Sequence, residues 1–191
     1  MIIASRVLAA VTKAVNELGG MDRFVKKGDR VLLKPNLLIP RAPDKLVTTD
    51  AEIVRAVAQL VKKAGGKPCI GDSPAMGSAE KVAEKCGVGH VARSEGIEIV
   101  NFDRPVEVDN PSGATFKEYK IDRAILESDV IINLPKLKTH GQMTLTLGVK
   151  NLFGVIPGPR KTQWHLAAGS DKLHFAGMLV DLYHKVSPSL T

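Results

Sequence analysis

S-D-V-I-I-N-L-P-K-L-K-T-H-G-Q-M-T-L-T-L-G-V-K-N-L-F-G, residues 128–154, decides how this chain is read. Val130, Ile131 and Ile132 form an unbroken apolar run between Asp129 and Asn133. Such a run fits a strand buried on both faces. Polar residues then crowd in: Asn133, Lys136, Lys138, Thr139 and His140, with Lys150 and Asn151 further on. A short buried strand that delivers cations, amides and an imidazole at its carboxyl end is how an open α/β sheet builds a ligand site.

Strand and helix patterns alternate on the amino-terminal side of this stretch. Arg30–Lys34, Pro68–Gly71 and Ile97–Phe102 read as further short strands. Thr49 and Glu52 have capping-box spacing ahead of Ile53, Val54, Val57, Leu60 and Val61, and Gly65-Gly66 closes that helix. Ser78 opens another through Val82 and Cys86 to Gly87. Ser5 caps a first helix from Arg6 to Leu18, and Ser170 caps a last one carrying Leu173, Met178, Leu182 and Val186. Lys117–Ile121 reads as a hairpin or edge strand. The alternation predicts right-handed crossovers and a mainly parallel open sheet flanked by helices, a single α/β domain over residues 1–191.

In such a sheet the residues that follow the strands share one edge. That edge gathers Lys34 and Asn36, Asp72 and Ser73, Asp103, and the residues from Asn133 onward. Lys34, Asn36, Asp72, Ser73 and Asn133 are ligand-binding candidates, as are Lys136, Lys138, Thr139 and Asn151. His140 is the candidate general acid/base, because an ordinary imidazole titrates near 6.5. Lys150 is a second cation or a desolvated base. Each also has a plainer reading. Pro35-Asn36 serves as a turn, Gly71-Asp72-Ser73-Pro74 as an Asx or Ser turn, and Lys34 as a solvated strand end. Two lysines, a threonine and an imidazole within residues 136–140 favour function there. No G-x-x-x-x-G-K-[ST], G-x-G-x-x-G or G-x-S-x-G pattern occurs, so no nucleotide fingerprint or serine elbow is present. Gly158-Pro159-Arg160-Lys161 reads equally as a basic lid and as an exposed loop. His165, His174 and His184 lack the close spacings of zinc ligands, and no metal site is assigned.

Composition narrows the partners. At 191 residues, 44% hydrophobic and 4% aromatic, the chain supports one aliphatic core. A net charge of +7 favours anionic partners. Basic residues are dispersed among acidic ones, and no RNP or C₂H₂ pattern occurs. A small phosphorylated or carboxylate ligand is therefore expected ahead of nucleic acid. No apolar run reaches the roughly 20 residues of a membrane span, and the start shows no signal-peptide cleavage pattern. No membrane partner is expected. Cys69 and Cys86 form neither a disulfide framework nor a cluster-binding set. They read as small core residues, and a cytoplasmic setting is expected.

Four ordered blocks carry a resemblance. V-L-L-K-P-N-L at 31–37, A-G-G-K-P-C-I-G-D-S-P at 64–74, D-V-I-I-N-L-P-K-L-K-T-H at 129–140 and T-L-T-L-G-V-K-N-L-F-G at 144–154 closely resemble the DUF362 family, a domain of unknown function. The resemblance spans nearly the whole chain and supplies no settled activity. Family members often carry a ferredoxin-like domain with two four-iron clusters. The resemblance thus implies an iron–sulfur association and a ferredoxin-like domain or redox partner. No Cys-x-x-Cys-x-x-Cys run occurs, so a 4Fe-4S cluster is expected in a full-length protein and no cofactor in this chain. Against the family pattern the chain reads as part of a larger domain, incomplete at both ends. Three functions stay open. The chain binds a small anionic metabolite at the carboxyl edge and converts it, or serves as an iron–sulfur-linked redox or accessory protein, or acts as a basic nucleic-acid-binding module.

Overall fold

The computed structural model describes residues 2–141, 143–158, 164 and 171–191. The first half runs α1 (Ile2–Glu17), β1 (Arg30–Pro35), α2 (Ala51–Lys63), β2 (Lys67–Asp72), α3 (Ala79–Cys86), α4 (Val88–Glu95) and β3 (Glu98–Asn101). The second half adds β4 (Pro105–Asp109), β5 (Glu118–Asp122), α5 (Arg123–Leu126) and β6 (Val130–Leu134). After these come β7 (Lys138–His140), β8 (Thr144–Thr146), α6 (Gly148–Asn151) and α7 (Lys172–Val186).

Four strands build an all-parallel sheet in the order β3-β2-β1-β6. β1 and β6 are its most buried strands, and each has a charge-free aliphatic run, Val31–Leu33 and Val130–Ile132. Side chains alternate between the two faces. Val31 and Leu33 pack under α1, α2, α3 and α4, together with Val54, Val61 and Ile132. Leu32 and Ile131 face the opposite way, onto Tyr119, Ile121, Phe153, Phe175 and Met178. That second layer is built from the antiparallel β4–β5 hairpin, a 3₁₀ turn at Leu152–Val155, and α7. Each fully buried large aliphatic side chain contributes about 1.5–3 kcal/mol. Layer packing, more than helix propensity, therefore holds the fold. Gly71 belongs to this packing: a methyl there would lie 2.5 Å from the Phe102 ring.

Local chemistry sets the helix ends. Asp50 caps α2 by accepting a hydrogen bond from the Glu52 amide at 2.8 Å, worth about 1 kcal/mol. Val54, Val57, Ala58 and Val61 then recur on one face and are buried. Ser78 caps α3, which ends at Gly87 in the left-handed region, as the sequence predicts. Three expectations need correction. Ser5 lies inside α1, which starts at Ile2. Thr49 does not cap α2; its hydroxyl accepts from the Asn36 amide at 2.8 Å and donates to the Leu134 carbonyl at 2.7 Å. Asp50, one residue later, had the free carboxylate for the cap. The cap of α7 is Asp171, bonded to the Leu173 and His174 amides; Ser170 lies outside the described residues. Six elements have no counterpart in the sequence reading: α4, β4, α5, β7, β8 and α6. Gly87 ends α3 and at once starts α4, so two helices had looked like one helix and a loop. β7 and β8 form a hairpin whose strands, at three residues each, are too short for a periodicity signal.

β1, β2 and β3 proceed in one direction across the sheet, whereas β6 lies on the other side of β1. The chain therefore reverses its winding between β1 and β6. The crevice outside the carboxyl ends of strands at such a switch point is where open α/β sheets bind ligands.

Candidate functional site

The exits of β1, β2 and β6 meet beneath this crevice. Lys34 ends β1 with its side chain fully buried. Its Nζ donates to Asp72 Oδ1 at the end of β2, at 2.8 Å, and to the Pro35 carbonyl at 3.2 Å. Asp72 Oδ2 accepts from the Leu37 amide at 2.9 Å. Each buried charge thus has an opposite charge and a further hydrogen bond, which is what makes a buried pair tolerable. Gly154 seals it from above. A methyl at Gly154 would stand 2.2 Å from Asp72 Oδ1 and 2.6 Å from Lys34 Nζ.

A second buried cluster joins β6 to α6. Asn151 Nδ2 donates to Asn133 Oδ1 at 2.8 Å and to the Lys34 carbonyl at 3.2 Å. Asn133 Nδ2 donates to the Gly148 carbonyl at 3.0 Å. These amides fix α6 over the strand ends. Lys150 is thereby placed with its Nζ 4.5 Å from the Phe153 ring centre and 5.6 Å from that of Phe175.

Above this floor opens a cleft of about 600 Å³. Asn36, Asp72, Ser73, Lys138, His140 and Lys150 line it. Lys138 donates to Asn36 Oδ1 and to the Val47 carbonyl, each at 2.8 Å. Burial pushes the Lys138 ammonium down to about 8; Asp72 pulls it upward, and Lys136 and Lys34 push it further down. His140 is lowered as well, first by burial and then by Lys150 and Lys138. Its Nδ1 accepts from the Met143 amide at 3.2 Å. The neutral ring therefore carries its proton on Nε2. In this state the ring is a hydrogen-bond donor through Nε2, with the Nδ1 lone pair taken by Met143. Acting as a base first requires releasing Met143.

Seven of the expected residues thus share one cleft: Asn36, Asp72, Ser73, Lys138, His140, Lys150 and Asn151. Lys34 and Asn133 lie beneath it as fully buried supports. Lys136 and Thr139 do not line it. In a strand, residues two apart share a face, so Lys138 and His140 point together and Thr139 points away, exposed. Leu38 and Thr146 are among the lining residues outside the expected set, and Gly158 comes from the stretch read as a basic lid or an exposed loop. Leu38 lines the cleft at φ +55°, a left-handed conformation that strains a leucine. Thr146 enters through the hairpin that went unread. Gly158 also lines the cleft, its amide donating to Ser73 Oγ at 3.1 Å. The remainder of the proposed basic lid, Pro159-Arg160-Lys161, lies outside the described residues, as does His165.

The model of the family described as Domain of unknown function (DUF362) matches residues 31–191. The chain belongs to the DUF362 family. It is also 47% identical over 189 residues to a protein named thylakoid-associated protein sll1697, from Synechocystis sp. (strain ATCC 27184 / PCC 6803 / Kazusa). The match covers 98% of this chain and 58% of that relative, so the chain spans little more than half of its length. No solved structure matches. Among the described residues no helix is long and apolar enough to cross a membrane.

The two cysteines lie apart in the fold. Cys69 packs in the layer with Phe102 and Tyr119, whereas Cys86 packs with Val82 and Val88 on the opposite face of the sheet. Both thiols are buried, and burial raises both pKa values. Ligation needs thiolates gathered on one side. Among the described residues no group of three His, Cys, Asp or Glu side chains could hold a metal ion.

Proposed function

We propose that this DUF362 chain binds a small metabolite through an anionic group in the cleft at the β1–β6 switch point. The observation that carries this reading is the charge balance at His140. Lys150 and Lys138 both press on the ring, while Asp72, the acidic residue lining the cleft, is already bonded to Lys34 and Leu37. Two lysines beside one imidazole, in a cleft whose lining carboxylate Asp72 is already engaged by Lys34, favour an incoming anion. Lys138 and Lys150 supply charge, Asn36 holds Lys138 in place, and the His140 Nε2–H donates to the ligand. Conversion of the ligand belongs to the same proposal, with His140 moving a proton once Met143 lets go of Nδ1. The setting proposed is cytoplasmic, where unpaired thiols such as Cys69 and Cys86 persist.

A thermal-shift screen of phosphorylated and carboxylate metabolites tests it, since a ligand of the native state alone must raise the melting temperature. Lys138→Gln keeps a hydrogen-bonding side chain but removes the charge. It should weaken binding about tenfold or more, consistent with a charge-assisted bond, and flatten the salt dependence. Equal affinity in wild type and Lys138→Gln would remove the reading's main support.

A further inference from the structure

The β7–β8 hairpin carries a residue that the cleft has not yet explained. Thr146 is 3% exposed, and its Oγ1 has no hydrogen-bond partner among the described residues. Thr146 nevertheless lines the cleft, beside Lys138 and His140. The pairing register sets Thr146 directly opposite Lys138, and Thr144 opposite His140. Side chains directly opposite in an antiparallel pair lie on the same face, with Cβ atoms about 4.5–5.5 Å apart. The hairpin therefore presents an ammonium, an imidazole and a hydroxyl on one face and turns Thr139 and Leu145 away, both of them exposed.

A buried hydroxyl without a partner destabilises the free protein, because its hydration is lost and nothing replaces it. Nearly all such groups in native proteins are satisfied, so an exception calls for a cause. Among the described residues no structural bond accounts for it. Rotation about χ1 exchanges hydroxyl and methyl without breaking a bond to any described residue. Thr146 lines the cleft directly opposite Lys138.

We propose that Thr146 is a ligand-contacting residue of this site, donating through Oγ1 to the same oxyanion group, phosphoryl or carboxylate, that Lys138 holds by charge. The assignment rests on the anion-binding reading above and adds a neutral donor that selects for acceptor oxygens. A site that hydrogen-bonds its ligand discriminates against analogues lacking that acceptor far more strongly than an apolar wall does. The cations give affinity for negative charge in general; Thr146 asks for oxygen at one position.

Thr146→Val is the variant of choice, because it matches the side chain in shape and removes only the hydroxyl. Wild type, Thr146→Val and Thr146→Ser are compared by isothermal titration with inorganic phosphate and with acetate at fixed ionic strength, and by melting temperature without ligand. The two titrants separate a phosphoryl from a carboxylate terminus. Thr146→Val should melt at or above the wild-type temperature, since it removes an unsatisfied group. It should bind the preferred anion about ten- to a hundredfold more weakly, the range of one hydrogen bond to a charged group. Thr146→Ser should retain most of the affinity. Unchanged affinity in Thr146→Val overturns the assignment, and so does a marked fall in its ligand-free melting temperature, which would reveal a structural bond. If wild type binds neither anion, the anion-binding reading fails, and this assignment falls with it.

Discussion

Lys138 shows how one residue can be both a brace and a binding group. Its two hydrogen bonds, to Asn36 and to Val47, tie β7 to the segment after β1. Its burial and its lysine neighbours lower its pKa from 10.5 to about 8. The sign of the consequence is fixed. Below about pH 8 the side chain is charged and attracts anions; above it the attraction fades, more than two pH units earlier than for an ordinary lysine. Anion affinity should therefore decline between about pH 7.5 and 9.5 in wild type. It should be flatter in Lys138→Arg, whose guanidinium does not titrate there. Binding measured across that range checks this, and a wild-type profile flat to pH 9.5 would contradict it. Stability moves the other way. A group whose charged form is disfavoured in the fold relieves that strain on losing its proton, so its contribution rises with pH between about 8 and 10.5.

At the scale of elements, the turn after α6 shows why a glycine is required. The 3₁₀ turn Leu152–Val155 lies directly on the Lys34–Asp72 pair, and the Gly154 carbonyl accepts from the Ser73 amide at 3.1 Å. Nothing larger than hydrogen fits between this backbone and the ion pair. Gly154→Ala should force the two apart and cost about 3 kcal/mol, combining overpacking with damage to a buried ion pair. Urea denaturation measures it. A stability equal to wild type would mean that the turn shifts without disturbing Lys34 and Asp72. Thr49 acts at the same scale, clamping the exits of β1 and β6 to each other. Thr49 and Lys34 thus brace the switch-point crevice without lining it.

For the whole molecule, the two-layered covering of the sheet decides what the cysteines can do. The sheet separates Cys69 from Cys86, each inside its own apolar layer. Anaerobic reconstitution of this chain with iron and sulfide should therefore yield less than one cluster per folded molecule, read by iron and sulfide analysis. Stoichiometric four-iron cluster on folded protein would overturn the arrangement of layers described above, since four thiolates from two chains would have to meet at one accessible surface. The bridge between Ile132 and Leu190 bears on the same scale. Leu190 lies parallel to β6 on its outer side, so the sheet extends past the four named strands.

Much of this was legible in the residues. Continuous aliphatic runs at 31–33 and 130–132 can only be buried strands in a chain so poor in aromatics, and a parallel sheet follows from their alternation with amphipathic helices. The convergence of Asn36, Asp72, Ser73, Lys138 and His140 followed in turn, because strand order does not change which edge the strand exits share. Tertiary structure alone decided the rest. Lys34 reads in the sequence as a ligand contact or a solvated strand end and is fully buried, because its partner Asp72 is 38 residues away in the chain. Thr49 and Asp50 compete for one cap, and the contest was settled by Asn36 and Leu134, which the local sequence does not contain. Thr146 carries no local signal, since a threonine in a three-residue strand reads as surface. Only the register opposite Lys138 turns it toward the cleft. Local periodicity encodes which residues are buried; which buried polar atoms find partners depends on contacts made across the whole chain.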